Sequence, residues 1–378
     1  MRTARSVEGV YVSELHYDVI SADSHVIEPP EVFAERLPAA LRDRAPKLVH
    51  EDDTDRLVCE GTSLPGIAML AGCYRADDEQ RMNGRWDEDV PRSAYDPDVR
   101  LVDIARDGVD AEVLFPTLGM NFFQLDELEV RWALYRAYND WLAEVFCVPH
   151  KGRFLGIGMV DCDDVSLAVA EMQRAKEIGL SAIMIPMYSG GDDPYWHERY
   201  DPLWAASIDL DLPINLHLLT SREKAKRFGG RFPSPGEMMQ LAGGIQPLLV
   251  DMIAYGVFDR FPELIVVSAE NDAGWAAHVI ESNDYKWKRV YRLGGPRSEH
   301  APSHYFHKNI RMTFMRDRAA VLAREIIGVH TMMWGNDFPH STATWPHSKE
   351  VLDEHFHDQP VEVRNAIVRD NVRALYKF

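Results

Sequence analysis

Eight short apolar runs recur along the chain, at 17–22, 111–116, 154–160, 181–186, 213–218, 264–269, 310–314 and 331–334. Several are rich in Ile, Val and Met without polar alternation. Strands buried on both faces of a parallel sheet read that way. Helical patterns lie between them. The longest, 127–148, places Leu128, Leu134, Tyr138, Leu142 and Val145 near one face. A second, 165–178, follows Asp163 and Asp164, acidic residues suited to a helix start, and stops at Gly179. Others are predicted over 238–258, 273–291 and 316–327. Strands alternating with helices predict an α/β fold, a distorted (β/α)8 TIM barrel. A doubly wound open sheet is the alternative, but no G-x-G-x-x-G follows the first run.

Three stretches break the repeat. Residues 29–97 are charged and turn-rich, and separate the first two strands. Residues 187–202 contain Gly190-Gly191-Asp192-Asp193-Pro194. Residues 220–244 carry Arg222, Lys224, Lys226, Arg227 and Arg231. All three begin near the carboxyl end of a strand, where barrel enzymes build active-site loops. The expected organisation is one barrel domain over 1–378, with 29–97 inserted as a cap.

Composition narrows the function. The chain has 378 residues, 46% of them hydrophobic, enough for a large core. A net charge of −19 argues against nucleic acid or an anionic membrane as the main partner. A local basic patch or a metal still permits an anionic substrate. Four cysteines without C-x-x-C spacing do not suggest a disulfide scaffold. The first residues lack the apolar core of a signal peptide, and no run is long enough to span a bilayer. A cytoplasmic enzyme is expected.

Candidate chemistry collects at strand ends. Asp23 and His25 close the first strand, and residues two apart point the same way. His217 sits near the end of the fifth, Glu270 ends the sixth, and Asp337 follows the eighth in Trp334-Gly335-Asn336-Asp337-Phe338-Pro339-His340. Each alone has a plain reading as a cap, a turn residue or a core histidine. Together they converge only if the barrel closes, and carboxylate plus imidazole suits Zn, Mn or Fe.

The segments Ser21-Ala22-Asp23-Ser24-His25-Val26-Ile27-Glu28-Pro29, Asn215-Leu216-His217 and Trp334–His340 resemble the amidohydrolase-related family, which includes aminocarboxymuconate-semialdehyde decarboxylase and related hydrolases. The likeness runs from about residue 18 to 346. It implies a metal at the barrel mouth, held by Asp23, His25, His217 and Asp337. Decarboxylases of the family carry a histidine on strand six, where this chain has Glu270. The decarboxylase reading therefore loses a participant. Glu270 is then either the general base of a hydrolase, a role shared with Asp337 and His217, or a bridge between two metals. Three carboxylates and two imidazoles, with Glu28 and His340 nearby, suit two metals. In this the chain is similar to the non-haem di-iron monooxygenase branch of platensimycin and platencin diterpenoid biosynthesis. That likeness implies two irons, O2, an external reductant and a bulky apolar substrate carried as a CoA thioester. One or two Zn or Mn ions serve the hydrolase reading. Arg222 and Arg227 are candidates for CoA phosphates, or belong to a solvated loop. Tyr188, Tyr195, Trp196, Phe122 and Phe123 either line an apolar pocket or pack the loops onto the barrel. A homodimer is expected by analogy with the family.

Overall fold

The computed structural model describes residues 15–63, 66–220 and 233–378. Eight parallel strands follow one another around the barrel: β1 (Ile20–His25), β2 (Ala111–Phe115), β3 (Phe154–Met159), β4 (Ala182–Ile185), β5 (Ile214–His217), β6 (Val266–Ala269), β7 (Ile310–Phe314) and β8 (Met332–Trp334). Every residue of β2, β4, β5, β6 and β8 is buried, which fits their largely apolar, non-alternating sequences. Helices cover the outer face, as in a TIM barrel.

The first strand runs past the apolar stretch at 17–22 as far as His25. Its polar end is buried because it has partners. Ser21 and Ser24 both donate to Asn336 Oδ1, at 3.0 and 2.8 Å. These bonds belong to the seam that rules out an open sheet. Asp337 N–H donates to the Asp23 carbonyl at 2.8 Å, and His25 N–H to the Phe338 carbonyl at 2.7 Å. The chain following β8 thus completes the barrel against β1. Gly335 permits that approach: a Cβ there would lie 2.5 Å from Asp23 Cβ. Arg100, fully buried, sits behind the seam. It forks onto Glu112 at 2.5 and 3.1 Å and donates to the carbonyls of His25 and Phe338 at 2.8 and 3.2 Å.

Helix Val165–Glu177 starts where Asp164 accepts from the N–H groups of Ser166 and Leu167. The helix at 127–148 appears as Leu128–Leu142 continued by a wider π-turn, Ala143–Cys147. Two long patterns are broken. Residues 238–258 fall into Pro235–Gly243, Ile245–Ala254 and Val257–Arg260, interrupted at Gly244 and at Gly256, whose φ is +75°. Residues 316–327 divide at Ala323. Apolar spacing continued across these breaks and hid them.

Residues 29–97 form short helices and an antiparallel sheet of Lys47–His50, Asp55–Cys59 and Thr62–Ser63. The segment docks on the loop after β8: Ser341 donates to the Met69 carbonyl at 2.7 Å, and Cys73 N–H to the Pro339 carbonyl at 3.4 Å. Among the described residues no helix is long and apolar enough to cross a membrane.

Gly335→Ala should wedge the seam open. Overpacking of this kind costs about 1–3 kcal/mol, so thermal unfolding should shift to lower temperature. An unchanged midpoint would mean that the seam yields without cost.

Candidate metal centre

The carboxyl ends of β1, β5, β6 and β8 place Asp23, His25, His217, Glu270 and Asp337 around one point at the barrel mouth. The two imidazoles are fixed by their outer nitrogens. His25 Nδ1 lies 2.9 Å from the Pro116 carbonyl, and His217 Nδ1 lies 2.9 Å from the Leu218 carbonyl. A carbonyl can only accept, so Nδ1 carries the proton and each Nε2 turns a lone pair inward.

Those lone pairs meet carboxylate oxygens. His25 Nε2 is 3.6 Å from Asp23 Oδ1 and 3.4 Å from Asp337 Oδ1. His217 Nε2 is 3.5 Å from Asp23 Oδ1 and 3.6 Å from Glu270 Oε2. Asp23 Oδ1, His25 Nε2, His217 Nε2 and Asp337 Oδ1 are all buried without a hydrogen-bond partner. Buried polar atoms are rarely left so: Asp23 Oδ1, His25 Nε2 and His217 Nε2 face one another and fit a cation, while Asp337 Oδ1 adjoins them through His25 and also meets His340 Nδ1 at 2.9 Å. Asp23, His25 and His217 form one group of donors within 4.8 Å of one another, and His25, Asp337 and His340 form another. Two imidazoles and two carboxylates without a thiolate match Mn, Zn or Fe(II).

The remaining carboxylate oxygens are held in place. Thr313 donates to Asp23 Oδ2 at 2.7 Å and accepts the Glu270 N–H at 2.8 Å. Thr342 donates to Asp337 Oδ2 at 2.5 Å. Glu270 and Asp337 adopt φ of +57° and +56°, a conformation that costs a non-glycine residue about 1–3 kcal/mol. Both are turned inward at that cost. Burial disfavours a charge on His217, but Asp23 and Glu270 outweigh it and raise its pKa to about 9. Burial, with His340 and His217 nearby, holds His25 well below the usual histidine value. Without a cation these carboxylates therefore place a proton on His217 Nε2, and a metal ion would take that proton's place.

The other candidates fall in different places. His340 joins the centre: Nδ1 is 2.9 Å from Asp337 Oδ1, Nε2 is 3.0 Å from Thr117 Oγ1, and its ring lies 4.1 Å from that of His25. Glu28 turns away, accepting the N–H groups of Thr117, Leu118 and Gly119 at 3.3, 2.8 and 3.0 Å. Burial, offset by those bonds, leaves its pKa near 7. Its sequence position beside β1 misled, because both oxygens are used on the loop after β2. Trp196 stacks on Tyr255 at 3.9 Å, beside the end of helix Ile245–Ala254. Tyr188 remains 39% exposed. Phe122, Phe123 and Tyr195 are buried, Tyr195 donating to the Pro186 carbonyl at 2.6 Å. Arg222 and Arg227 lie outside the described residues. Thr117, Thr313 and Thr342 escaped the sequence reading, since nothing in a lone threonine signals a carboxylate across the barrel.

Removing one ligand separates metal binding from folding. In wild-type protein, added Mn2+ should raise the unfolding temperature by mass action, and Asp23→Asn or His217→Ala should abolish the rise. Asp337→Asn should also lose the ion, yet stabilise the metal-free protein by about 1 kcal/mol, since it removes one of several crowded buried charges. Equal Mn2+ responses in all four proteins would contradict the assignment.

Among characterised proteins, decarboxylase orsB of Emericella nidulans is 34% identical over 142 residues, 35% of this chain and 42% of that one. Gamma-resorcylate decarboxylase of Rhodococcus jostii is 28% identical over 193 residues, 48% of this chain and 58% of that one. The 2-amino-3-carboxymuconate-6-semialdehyde decarboxylase of Dictyostelium discoideum is 30% identical over 196 residues, covering 50% and 51%. The chain thus spans about half the length of these relatives. A crystal structure of an amidohydrolase from Mycobacterium avium subsp. paratuberculosis superposes with a TM-score of 0.77 at 20% identity, covering 96% of this chain and 98% of that one. The 5-carboxyvanillate decarboxylase of Novosphingobium aromaticivorans, complexed with manganese and 4-hydroxy-3-methoxy-5-nitrobenzoic acid, superposes with a TM-score of 0.67 at 19% identity, covering 96% of each chain. At such identities these structures speak to the fold. The amidohydrolase family model matches residues 27–378, and the chain belongs to that family.

Proposed function

We propose that the chain is a metal-dependent enzyme that works without an oxidant, a non-oxidative decarboxylase of small carboxylic acids being the first activity to assay. The observation that carries it is the meeting of three partnerless donor atoms, Asp23 Oδ1, His25 Nε2 and His217 Nε2, at the barrel mouth, with Asp337 Oδ1 beside His25. The decarboxylase names of the sequence relatives support the reaction, and the manganese bound by a structural neighbour supports the ion. A divalent ion held by these four residues supplies Lewis acidity toward a substrate oxygen.

The chain's own residues do the rest. The carbonyls of Pro116 and Leu218 hold His25 and His217 in the tautomer that binds. Asp337 lies between His25 and His340 and is placed to exchange the proton that takes the position of the departing CO2. His340, with a side chain 15% exposed and a second nitrogen on Thr117, links that carboxyl to solvent. Glu270 stands where the family's decarboxylases carry histidine. A third carboxylate tightens the hold on a cation and repels an anionic substrate, a balance that also suits a hydrolase of neutral carbonyl compounds with Glu270 as base.

One observation favours a second reading. Glu270 Oε2 lies 3.6 Å from His217 Nε2, and the His25, Asp337 and His340 group adjoins the first. A Glu270 shared by two irons would suit an O2-dependent monooxygenase acting on a bulky acyl-CoA with an external reductant. Metal analysis with turnover in O2-free buffer separates the two, with hydroxybenzoic acids as trial substrates. The expected result is one manganese or zinc per chain, turnover without O2, and a Glu270→Gln variant that keeps its ion. Two irons per chain, O2 uptake and loss of one iron in Glu270→Gln would establish the second reading instead.

A further inference from the structure

A second cavity opens at the opposite end of the barrel, near the amino ends of β3 and β4. It is a half-open groove of about 460 Å3, within the range of small-molecule sites. Its floor is apolar: Phe154, Leu180 and Tyr376 are buried, and Leu375 closes one side. Its rim is basic. Lys151, Lys176 and Lys377 surround the opening, against a single carboxylate, Asp211. In a chain of net charge −19, three lysines over an apolar floor stand out. Asp211 pairs with Lys377, while Lys176 reaches only the Asp211 carbonyl, at 3.3 Å. Lys151 forms no hydrogen bond or ion pair among the described residues. The rim therefore carries more positive charge than it neutralises.

Two further features belong to this cavity. Lys377 ends the helix Asn371–Tyr376 at φ +62°, a position commonly given to glycine. The ammonium of Lys176 is held below its ordinary pKa by partial burial and by Lys377, the state of a cation short of a counter-ion.

We infer that this cavity binds a small amphiphilic anion: the lysines receive a carboxylate and the apolar floor takes the attached hydrocarbon. The site is distinct from the metal centre, since none of its lining residues reaches that mouth. It meets the barrel interior through Tyr376, whose hydroxyl donates to Asn215 Oδ1 at 2.8 Å, two residues before His217 on β5. Binding there is independent of the reaction proposed above.

Calorimetric titration of the full chain with decanoate, decan-1-ol and acetate tests the inference. Decanoate should bind, and the alcohol and acetate should each bind about tenfold more weakly or not at all, because each lacks one half of the recognition. Lys151→Glu/Lys176→Glu should weaken decanoate about tenfold or more and leave Mn2+ binding unchanged, since neither lysine lies at the metal centre. Asp23→Asn should bind decanoate as wild type does, which places the site away from the metal. Equal decanoate affinity in the lysine variant, decan-1-ol binding as tightly as decanoate, or loss of binding in Asp23→Asn would each overturn it.

Discussion

Carboxylates cannot be crowded into a dry pocket unless something positive joins them. Asp23 and Asp337 are fully or almost fully buried, Glu270 is largely covered, and two imidazoles aim bare nitrogens at the same point. Burying charge without compensation is among the largest penalties in folding. The rest of the mouth is organised around that problem. Threonines hold the outer carboxylate oxygens, carbonyls hold the outer imidazole nitrogens, and the inner atoms are left for a cation. The left-handed backbone at Glu270 and Asp337 persists because the surrounding contacts hold it there.

Closure of the barrel makes this crowding unavoidable. Asp23 and Asp337 lie at opposite ends of the barrel's path through the sequence, yet the seam joins their main chains by a direct hydrogen bond. Arg100 grips the carbonyls of His25 and Phe338 from behind, so the ligand-bearing backbone on both sides of the seam shares one buried guanidinium. The candidate ligands and the closure of the barrel thus share the same main-chain contacts. The segment at 29–97 also packs on the loop that carries Asp337 and His340, Ser341 donating to the Met69 carbonyl.

Much of this was readable from residue order. The eight apolar runs and the helical patterns between them give the barrel, because period and length survive in sequence. Asp23, His25 and His217 were visible because strand geometry fixes which way a strand-end side chain points, whereas Asp337, three residues beyond β8 in a left-handed turn, was legible only from the Trp334–His340 motif. What escaped depends on direction after a strand ends. Glu28 follows β1 by three residues, but the chain has turned, and its carboxylate serves three N–H groups on another loop. Counting it as a donor inflated the carboxylate set and made two irons look better supplied than the geometry makes them. Trp196 met Tyr255, a pairing that no spacing reveals. The breaks at Gly244 and Gly256 were hidden by apolar spacing that continues through them.

Anomalous diffraction from crystals grown with Mn2+ tests the centre most directly. The expected result is a single strong peak within bonding distance of Asp23 Oδ1, His25 Nε2, His217 Nε2 and Asp337 Oδ1, about 2.0–2.2 Å from each donor. A map with no peak at the barrel mouth, and these four side chains hydrogen-bonded to other groups, would contradict it.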